Sequence, residues 1–253
     1  MTKKREERKK PSLAYRFVKW NVRLFYPKIK CTGVENIPQE PVVLISNHAQ
    51  IHGPIAYELY APVERYTWCN YEMMERKEIP AYAFRDFWSY KPKRTHWFYK
   101  FLAHAITPLA VLIFNNADTV PVYRDRRVTH TLRRSVALLE QGKSLAIFPE
   151  RDVPHNHVVY DFQEGFVDVA RLYYKRTGKA LKFVPCYLTP ELKTLSVGEA
   201  LAFDPSAPAE EERKRVCAEL MARITALAEA LPPHTVIPYR NVPKDERPRN
   251  REE

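Results

Sequence analysis

The chain has 253 residues, of which 45% are hydrophobic and 28% are charged. This length and composition are typical of one large globular domain with short extensions, and they exclude a chain that is disordered throughout. The 6 glycines against 21 prolines exclude collagen-like and glycine-rich linker architectures. The formal net charge of +11 raises the question of an anionic partner.

The basic excess is concentrated at the N-terminus. Residues 1–30 hold 11 lysines and arginines and 2 glutamates, a net charge of +9, whereas the other 223 residues have a net charge of only +2. A nucleic-acid-binding domain would spread positive charge over a folded face, so this distribution argues against a nucleic-acid partner. We predict a basic arm with an amphipathic helix over 1–29, a folded domain over 30–240 and a disordered tail over 241–253.

The arm continues into a segment whose basic and apolar residues would lie on opposite faces of a helix. Arg16, Lys19 and Arg23 recur at spacings of three and four. The opposite face would hold the apolar residues Leu13, Phe17, Trp20 and Leu24. Such a helix suits insertion at an anionic lipid surface; the alternative is a helix packed on the domain with a solvated basic face.

A second apolar segment spans residues 97–114, which is about long enough to cross a bilayer. Lys100, His104 and Pro108 interrupt it, so we predict a buried or half-immersed segment that breaks at Pro108 rather than a transmembrane helix. The charged start of the chain leads to no apolar stretch with a cleavage site. We therefore expect the protein on the cytoplasmic face of a membrane, as a peripheral or monotopic protein.

Short apolar runs rich in branched residues alternate with amphipathic segments along the rest of the chain. The runs predict strands at 41–46, 119–123, 144–148 and 181–187. The segments with helical spacing predict helices at 129–141, 162–177 and about 209–231. This alternation predicts an α/β fold with a mostly parallel central sheet flanked by helices.

Polar residues directly follow three of these predicted strands. The first strand leads to Asn47 and His48, the second to Arg124, and the third to the turn Phe148-Pro149-Glu150. Because sites in α/β proteins lie at the carboxyl ends of parallel strands, a histidine, an arginine and a carboxylate would meet at one rim. Such a set suits general-base catalysis on an anionic substrate.

These residues resemble the motifs of the glycerolipid acyltransferases of the lysophosphatidic-acid acyltransferase (PlsC-like) type. That family carries NHxxxxD, a strand ending in Arg, FPEGTR followed by F-x-x-G, and a Val-Pro strand. The chain has, in the same order and over about residues 30–205, Asn47-His48, Val120 to Arg124, Phe148-Pro149-Glu150, Phe162 to Gly165 and Val184-Pro185.

The resemblance implies an O-acyltransferase that moves a fatty acyl group from acyl-CoA or acyl-carrier protein to a lysophospholipid such as 1-acylglycerol-3-phosphate. It implies His48 as the general base and no metal or organic cofactor. Arg124 would pair with the acceptor phosphate, which a guanidinium can grip with two hydrogen bonds. The remaining residues implied to contact substrate are Asn47, Phe148, Pro149, Arg151 and Gly165.

The chain departs from the family pattern at the partner of the histidine. The family has Asp five residues after its His, where this chain has Gly53, and that Asp orients the imidazole and stabilises its protonated form. Glu150 or Asp152 could supply the missing carboxylate. His52 could instead take over as the base, although Tyr57 stands five residues after it.

The third motif departs as well, since its Gly, Thr and Arg are replaced by Arg151, Asp152 and Val153. Arg151 could replace the lost arginine. These departures leave a second hypothesis open, that of a lipid-binding relative that kept the fold and lost activity.

Two other patterns give weaker indications of a functional site. His155, His157 and Asp161 are close enough in sequence for a metal site, but a polar loop is the simpler interpretation. The four cysteines lie far apart, without the spacing of a zinc site or a disulfide scaffold, so we expect reduced thiols.

Overall fold

The computed structural model describes residues 10–151, 157–159, 161–239 and 242–251. Asp152, His155 and the predicted end of the tail at 252–253 lie outside the described residues. The chain divides into two compact units. The first comprises Met1–Phe25 and Trp68–Thr131, and the second comprises Tyr26–Thr67 and Leu132–Glu253.

In the part of the chain that the structure describes, eight strands form one sheet with the order β1-β7-β6-β2-β5-β3-β4, and β8 pairs with β6 beside this path. The strands are β1 (Lys30–Thr32), β2 (Val42–Ser46), β3 (Arg65–Asn70), β4 (Thr119–Val122), β5 (Ser144–Ile147), β6 (Lys182–Thr189), β7 (Thr194–Val197) and β8 (Leu201–Ala202). β2 is parallel to both of its neighbours, β5 and β6, while β7 and β8 run antiparallel to β6.

Seven α-helices accompany the strands in the described residues. They are α1 (Leu13–Phe25), α2 (His52–Tyr60), α3 (Ile79–Ala83), α4 (His96–Asn116), α5 (Val128–Glu140), α6 (Asp168–Thr177) and α7 (Ala209–Glu229). The predicted α/β fold with a mostly parallel sheet flanked by helices is confirmed.

The core of the second unit is built around β2, all five residues of which are buried. Strands covered on both faces are continuously apolar because neither face meets water, which is the pattern that predicted β2, β5 and β6. Val42 and Leu44 pack with Val184 of β6 and with Tyr57 of α2 in one apolar cluster. The short strands β1, β7 and β8, with two to four residues each, and the six-residue strand β3 were not predicted.

In the first unit, the apolar face of α1 is exposed. Leu13, Phe17, Trp20 and Leu24 retain 79%, 65%, 56% and 58% of their accessible surface, whereas Tyr15 on the other side is buried. Ser12 donates its backbone N–H to the side chain of Asn116 at the end of α4, which joins the two helices. α1 thus packs on α4 while its apolar residues stay exposed, and insertion of this face at a lipid surface stays a prediction.

α4 is one helix of 21 residues that contains Pro108, so the predicted break at Pro108 is wrong. Proline removes one backbone hydrogen bond, but the turn before it is reinforced by Thr107, whose hydroxyl donates to the Ala103 carbonyl at 2.9 Å. Of the helices in the described residues, the segment Lys93–Asn116 is long and apolar enough to cross a membrane, and little of it is buried. Its outward side chains include Trp97 and Phe101, which are 73% and 66% exposed.

The sequence predicted a disordered tail from Asn241, but residues 242–251 are bound to the second unit. Asn250 is fully buried. Its side-chain amide donates to the Ala228 carbonyl at 2.8 Å, and its side-chain oxygen accepts the His234 backbone N–H at 2.9 Å. Pro243 and the charged residues Lys244 to Glu246 are exposed, and the hydrogen bonds of the buried Asn250 amide offset part of the entropy lost in ordering the segment.

Candidate functional site

The candidate site lies where β2 and β5 end side by side. Ile45 of β2 pairs with Ile147 of β5, so the residues that follow the two strands leave the sheet at the same edge. There the backbone N–H of His48 donates a short hydrogen bond to the carboxyl group of Glu150. The structure therefore brings together the histidine and the Phe-Pro-Glu turn that the sequence predicted at one rim.

Asn47 fixes the end of β2 to β6. Its side-chain amide donates to the Leu188 carbonyl at 2.9 Å, and its side-chain oxygen accepts the Leu188 N–H at 2.7 Å. Asn47 is buried, so both polar groups of its side chain are used inside the protein. Its observed role is to position the turn that carries His48, and substrate contact by Asn47 stays a prediction.

The turn after His48 has an unusual backbone. Ala49 and Gln50 have φ angles of 45° and 56°, in the left-handed region that non-glycine residues rarely adopt. Each such residue stores roughly 1–3 kcal/mol of strain and is found preferentially at functional sites. The turn ends where α2 begins at His52.

Gly53 is packed against the backbone of His48. Its N–H donates to the His48 carbonyl at 2.9 Å. A Cβ atom at Gly53 would lie 2.5 Å from that same oxygen and 2.9 Å from a ring carbon of Phe148. The position at which the resembled family has its Asp therefore has no room for a side chain in this chain.

The imidazole of His48 lies between two aromatic rings. Its centroid is 5.2 Å from that of Phe148 and 5.0 Å from that of Tyr239, both in edge-to-face arrangements. Nδ1 is buried and has no hydrogen-bond partner among the described residues. Burial lowers the pKa of His48 to about 4, and the backbone carbonyls of Gln50 and of His48 itself act in the opposite direction.

The pKa of Glu150 is shifted in the opposite direction to that of His48. Its carboxyl group is buried, which raises its pKa to about 8, although the hydrogen bond from the His48 N–H lowers it. Near pH 7 the imidazole is thus unprotonated and most of the carboxyl is protonated. Glu150 binds the backbone of His48, so in the described part of the chain it does not take the place of the family's Asp at the ring.

The segment around Gly165 holds the Phe-Pro-Glu turn in place. Glu150 forms an isolated antiparallel bridge with Phe162, and the Gln163 N–H donates to the Pro149 carbonyl at 2.8 Å. The guanidinium of Arg151 pairs with Asp161 at 3.3 Å. Gly165 lies in a 3-10 turn with open space on its Cα. Substrate contacts of Arg151, Phe148, Pro149 and Gly165 stay predictions.

Arg124 belongs to the first unit, where it follows β4 and is exposed. It contributes to a lowered pKa of Glu72, although Arg85, which binds that carboxylate directly at 2.9 Å, is the main cause. Next to it, the guanidinium of Arg127 lies over the ring of Tyr123. Pairing of Arg124 with a phosphate stays a prediction.

The sequence did not indicate the contribution of the C-terminal segment. Tyr239 contacts the ring of His48, and Arg247 acts electrostatically on His52. His52 also faces Tyr26, whose hydroxyl lies 3.3 Å from Nδ1 of His52. A run of charges and prolines predicts solvent exposure, so no local signal pointed to these contacts.

The described residues contain no group of three or more His, Cys, Asp or Glu side chains that could hold a metal ion. His155, one member of the weak metal-site pattern, lies outside those residues. The four cysteines are free thiols, and burial raises the pKa of Cys69, Cys186 and Cys217 to about 12.

Neither a family model nor a curated protein matches the sequence of the chain. Among solved structures, the fold is similar to that of the 1-acyl-sn-glycerophosphate (LPA) acyltransferase PlsC from Thermotoga maritima, with a TM-score of 0.49 and 16% sequence identity. The similarity covers 85% of this chain and 81% of that one.

Substitution of Gly53 tests the close packing of the His48 turn. Gly53→Asp places a carboxylate at the family position, but its Cβ would overlap the His48 carbonyl, so we expect a loss of about 1–3 kcal/mol in the free energy of unfolding. Gly53→Ala should lose a similar amount, because the Cβ alone causes the overlap. Urea unfolding measures both, with Gly165→Ala as the control that has open space. Wild-type stability in Gly53→Ala would contradict this packing.

Glu150→Gln tests the raised pKa of the buried carboxyl group. Because the folded state binds the proton more tightly than the unfolded state, Glu150 destabilises the fold as pH rises from about 4.5 to about 8, by up to about 1.4 kcal/mol per pH unit. Gln keeps an oxygen that accepts the His48 N–H but does not titrate. Urea unfolding between pH 5 and pH 8 should show that the Glu150→Gln variant gains stability relative to wild type as pH rises. The exposed Glu35→Gln is the control for the loss of an exposed carboxyl group, and a difference between Glu150→Gln and wild type that does not change with pH would refute the shift.

Proposed function

We propose that the protein is an O-acyltransferase that transfers a fatty acyl group from acyl-CoA or acyl-carrier protein to a lysophospholipid such as 1-acylglycerol-3-phosphate. The observation that carries the proposal is the joining of His48 to the Phe148-Pro149-Glu150 turn at the ends of two parallel strands. The ordered motifs of the sequence support the same assignment.

His48 is the proposed general base. At neutral pH its imidazole is unprotonated, and Nδ1 is buried, so Nε2 is the nitrogen left to accept a proton. The acceptor hydroxyl would give its proton to Nε2 as its oxygen attacks the thioester carbonyl. The new C–O bond forms, the C–S bond breaks, and the proton passes to the leaving thiolate. No residue of this scheme requires a metal or an organic cofactor.

The environment of His48 makes it a weak base. A pKa of about 4 means that the imidazole has little affinity for the proton, and burial disfavours the charged imidazolium that forms in the reaction. The backbone carbonyls of Gln50 and of His48 itself offset part of this cost. We therefore expect slow transfer whose rate is insensitive to His48 titration above about pH 5.

A second candidate is a lipid-binding protein without catalysis. Gly53 favours it, because the packing of that residue excludes the carboxylate that would stabilise the imidazolium. The two candidates share the fold and differ in whether thiol is released from the donor.

The exposed residues of the first unit favour binding to a membrane surface. α1 exposes Leu13, Phe17, Trp20 and Leu24, and the N-terminal 30 residues carry a net charge of +9, a combination that favours an anionic lipid surface. α4 exposes Trp97 and Phe101 in the same unit. We propose a peripheral or monotopic protein on the cytoplasmic face of a membrane, with lipid rather than nucleic acid as partner.

His48→Ala tests the proposed chemistry. We expect release of CoA from acyl-CoA, with lysophosphatidic acid as acceptor, to fall at least 100-fold, since a general base contributes about that much or more. Thiol release measures the rate, and circular dichroism and vesicle binding should stay unchanged. The exposed His130→Ala is the matched control. Equal turnover in His48→Ala would overturn the role of the histidine, and wild type that binds lipid without releasing thiol would favour the second candidate.

Replacement of Phe17 and Trp20 by Ser tests the proposed lipid-facing surface. Each exposed aromatic ring that enters the interface contributes roughly 1.5–3 kcal/mol, so the double variant should bind anionic vesicles at least 10-fold more weakly. Vesicle co-sedimentation measures this, with Tyr174→Ser on α6 as the control for an exposed aromatic residue. Vesicle binding of the wild-type protein should also weaken as the salt concentration rises from about 0.05 to about 0.5 M, because salt screens the attraction between the basic arm and the anionic lipid. Unchanged binding of the double variant would exclude this surface.

A further inference from the structure

The first unit contains a cavity of about 300 Å³ beside α4. The residues that line it come from the segment around the start of α3 and from the second half of α4, and they are Arg76, Lys77, Pro80, His104, Thr107 and Pro108. We call it the α4 cavity. Its volume is at the low end of the range of about 300–1,000 Å³ that small-molecule sites have, so it has room for a lipid headgroup but not for a whole phospholipid.

Two cations of the α4 cavity stand side by side on a hydrogen-bonded turn. The Glu78 N–H donates to the Glu75 carbonyl at 2.8 Å, which makes Arg76 and Lys77 the two central residues of the turn. The Ile79 N–H donates to the same carbonyl at 3.1 Å. The carboxylates of Glu75 and Glu78 belong to exposed residues that do not line the cavity. An ordered turn reduces the entropy lost when the two cations bind a ligand.

The positive charge of this turn is not neutralised by the protein. Among the residues that the structure describes, the side chains of Arg76 and Lys77 form neither an ion pair nor a hydrogen bond. Arg85 of the same unit, by contrast, binds Glu72 at 2.9 Å. Two adjacent cations with free donors attract a doubly accepting anion such as a phosphate group.

The other wall of the α4 cavity is one face of the helix α4. His104, Thr107 and Pro108 are three and four residues apart, so they share that face. The imidazole of His104 can donate a hydrogen bond from its ring N–H. The Thr107 hydroxyl already donates to the Ala103 carbonyl at 2.9 Å, so its oxygen is left to accept a hydrogen bond from a ligand hydroxyl. The lining therefore suits a ligand that carries both a phosphate and a hydroxyl group.

The exposed aromatic residues of α4 lie on the same face as the cavity. Trp97 and Phe101 precede His104 at spacings of four and three residues, so the three side chains share one side of the helix. The two aromatic residues are 73% and 66% exposed. A lipid surface that takes up these rings therefore extends to the α4 cavity. This proximity favours a membrane lipid over free phosphate as the source of the anion.

We propose that the α4 cavity binds the headgroup of an anionic membrane phospholipid, with Arg76 and Lys77 on its phosphate; this rests on the proposed membrane binding of the first unit and adds a site separate from His48. The arginine fork binds a phosphate through two parallel hydrogen bonds, and the lysine adds a point charge. Basic pockets beside membrane helices bind acidic headgroups in this way. A glycerol hydroxyl of the headgroup would donate to Thr107, and the acyl chains would stay outside the cavity. The binding involves no covalent step.

The test uses the full-length protein with two soluble probes. They are dihexanoyl phosphatidylglycerol, below the concentration at which it forms micelles, and inorganic phosphate. Calorimetry measures the affinity for each probe, and NMR of labelled histidines reports contact with the ring of His104. The variant is Arg76→Gln with Lys77→Gln. The matched control is Lys93→Gln with Arg94→Gln, which removes the same charge from exposed residues of the same unit that do not line the cavity.

We expect the Arg76→Gln, Lys77→Gln variant to bind the short-chain lipid about 10-fold more weakly or worse, since two basic contacts to the phosphate are lost. The control variant should bind it as wild type does. Inorganic phosphate should bind wild type about 10-fold more weakly or worse than the lipid. The lipid should shift the ring signals of His104 in wild type and leave those of the exposed His130 unchanged. Circular dichroism should be the same for all variants, because every substituted residue is exposed.

Four results would overturn the assignment. They are no binding of the short-chain lipid to wild type, equal affinity in the Arg76→Gln, Lys77→Gln variant, an equal loss in the control variant, and phosphate binding as tight as that of the lipid. Vesicle co-sedimentation separates the site from the membrane surface on which it rests. Should wild type bind the short-chain lipid through Arg76 and Lys77 but not bind anionic vesicles, the proposed surface would fail and the headgroup site would stand.

Discussion

The hydrogen bond between the backbone N–H of His48 and the buried carboxyl of Glu150 joins the ends of two neighbouring strands and fixes the site. Parallel pairing of β2 with β5 brings the two chain segments to one edge, and this bond sets how they leave it. The strained turn at Ala49 and Gln50 directly follows the residue whose amide is the donor. Glu150 can hold this position at neutral pH because burial keeps most of the carboxyl protonated, which avoids an unpaired charge in the core.

The same packing defines what the site lacks. Gly53 approaches the His48 carbonyl so closely that a side chain is excluded, and the described residues leave Nδ1 of His48 without a partner. Since His48 and Glu150 are both largely neutral near pH 7, little fixed negative charge faces a proton on the imidazole. At His52, burial and then the charge of Arg247 lower the pKa. Such surroundings disfavour an imidazolium.

Much of the fold was predictable because local sequence patterns indicate its strands and helices. The continuously apolar runs at Val42–Ser46 and Ser144–Ile147 indicate strands buried on both faces, and Gly142 and Gly178 have the positive φ angles expected just after helices. β1, β7 and β8 were missed because two to four residues give no period to detect, and β3 was missed because polar residues interrupt its apolar ones. The break expected at Pro108 was wrong, since the penalty of one proline is small against the many apolar and backbone contacts of a helix of 21 residues.

The sequence by itself determined which residues are candidates for the site. It identified His48 and Glu150 through their positions after apolar runs, and it located the net charge of +9 beside the amphipathic segment that forms α1. Only the tertiary structure decided which groups meet. It paired the Glu150 carboxyl with a backbone amide rather than with the imidazole, left no room for a side chain at Gly53, and brought Tyr239 against the ring of His48. The physical reason is that a residue's type and spacing depend on its own segment, whereas its partners depend on contacts between segments some hundred or more residues apart.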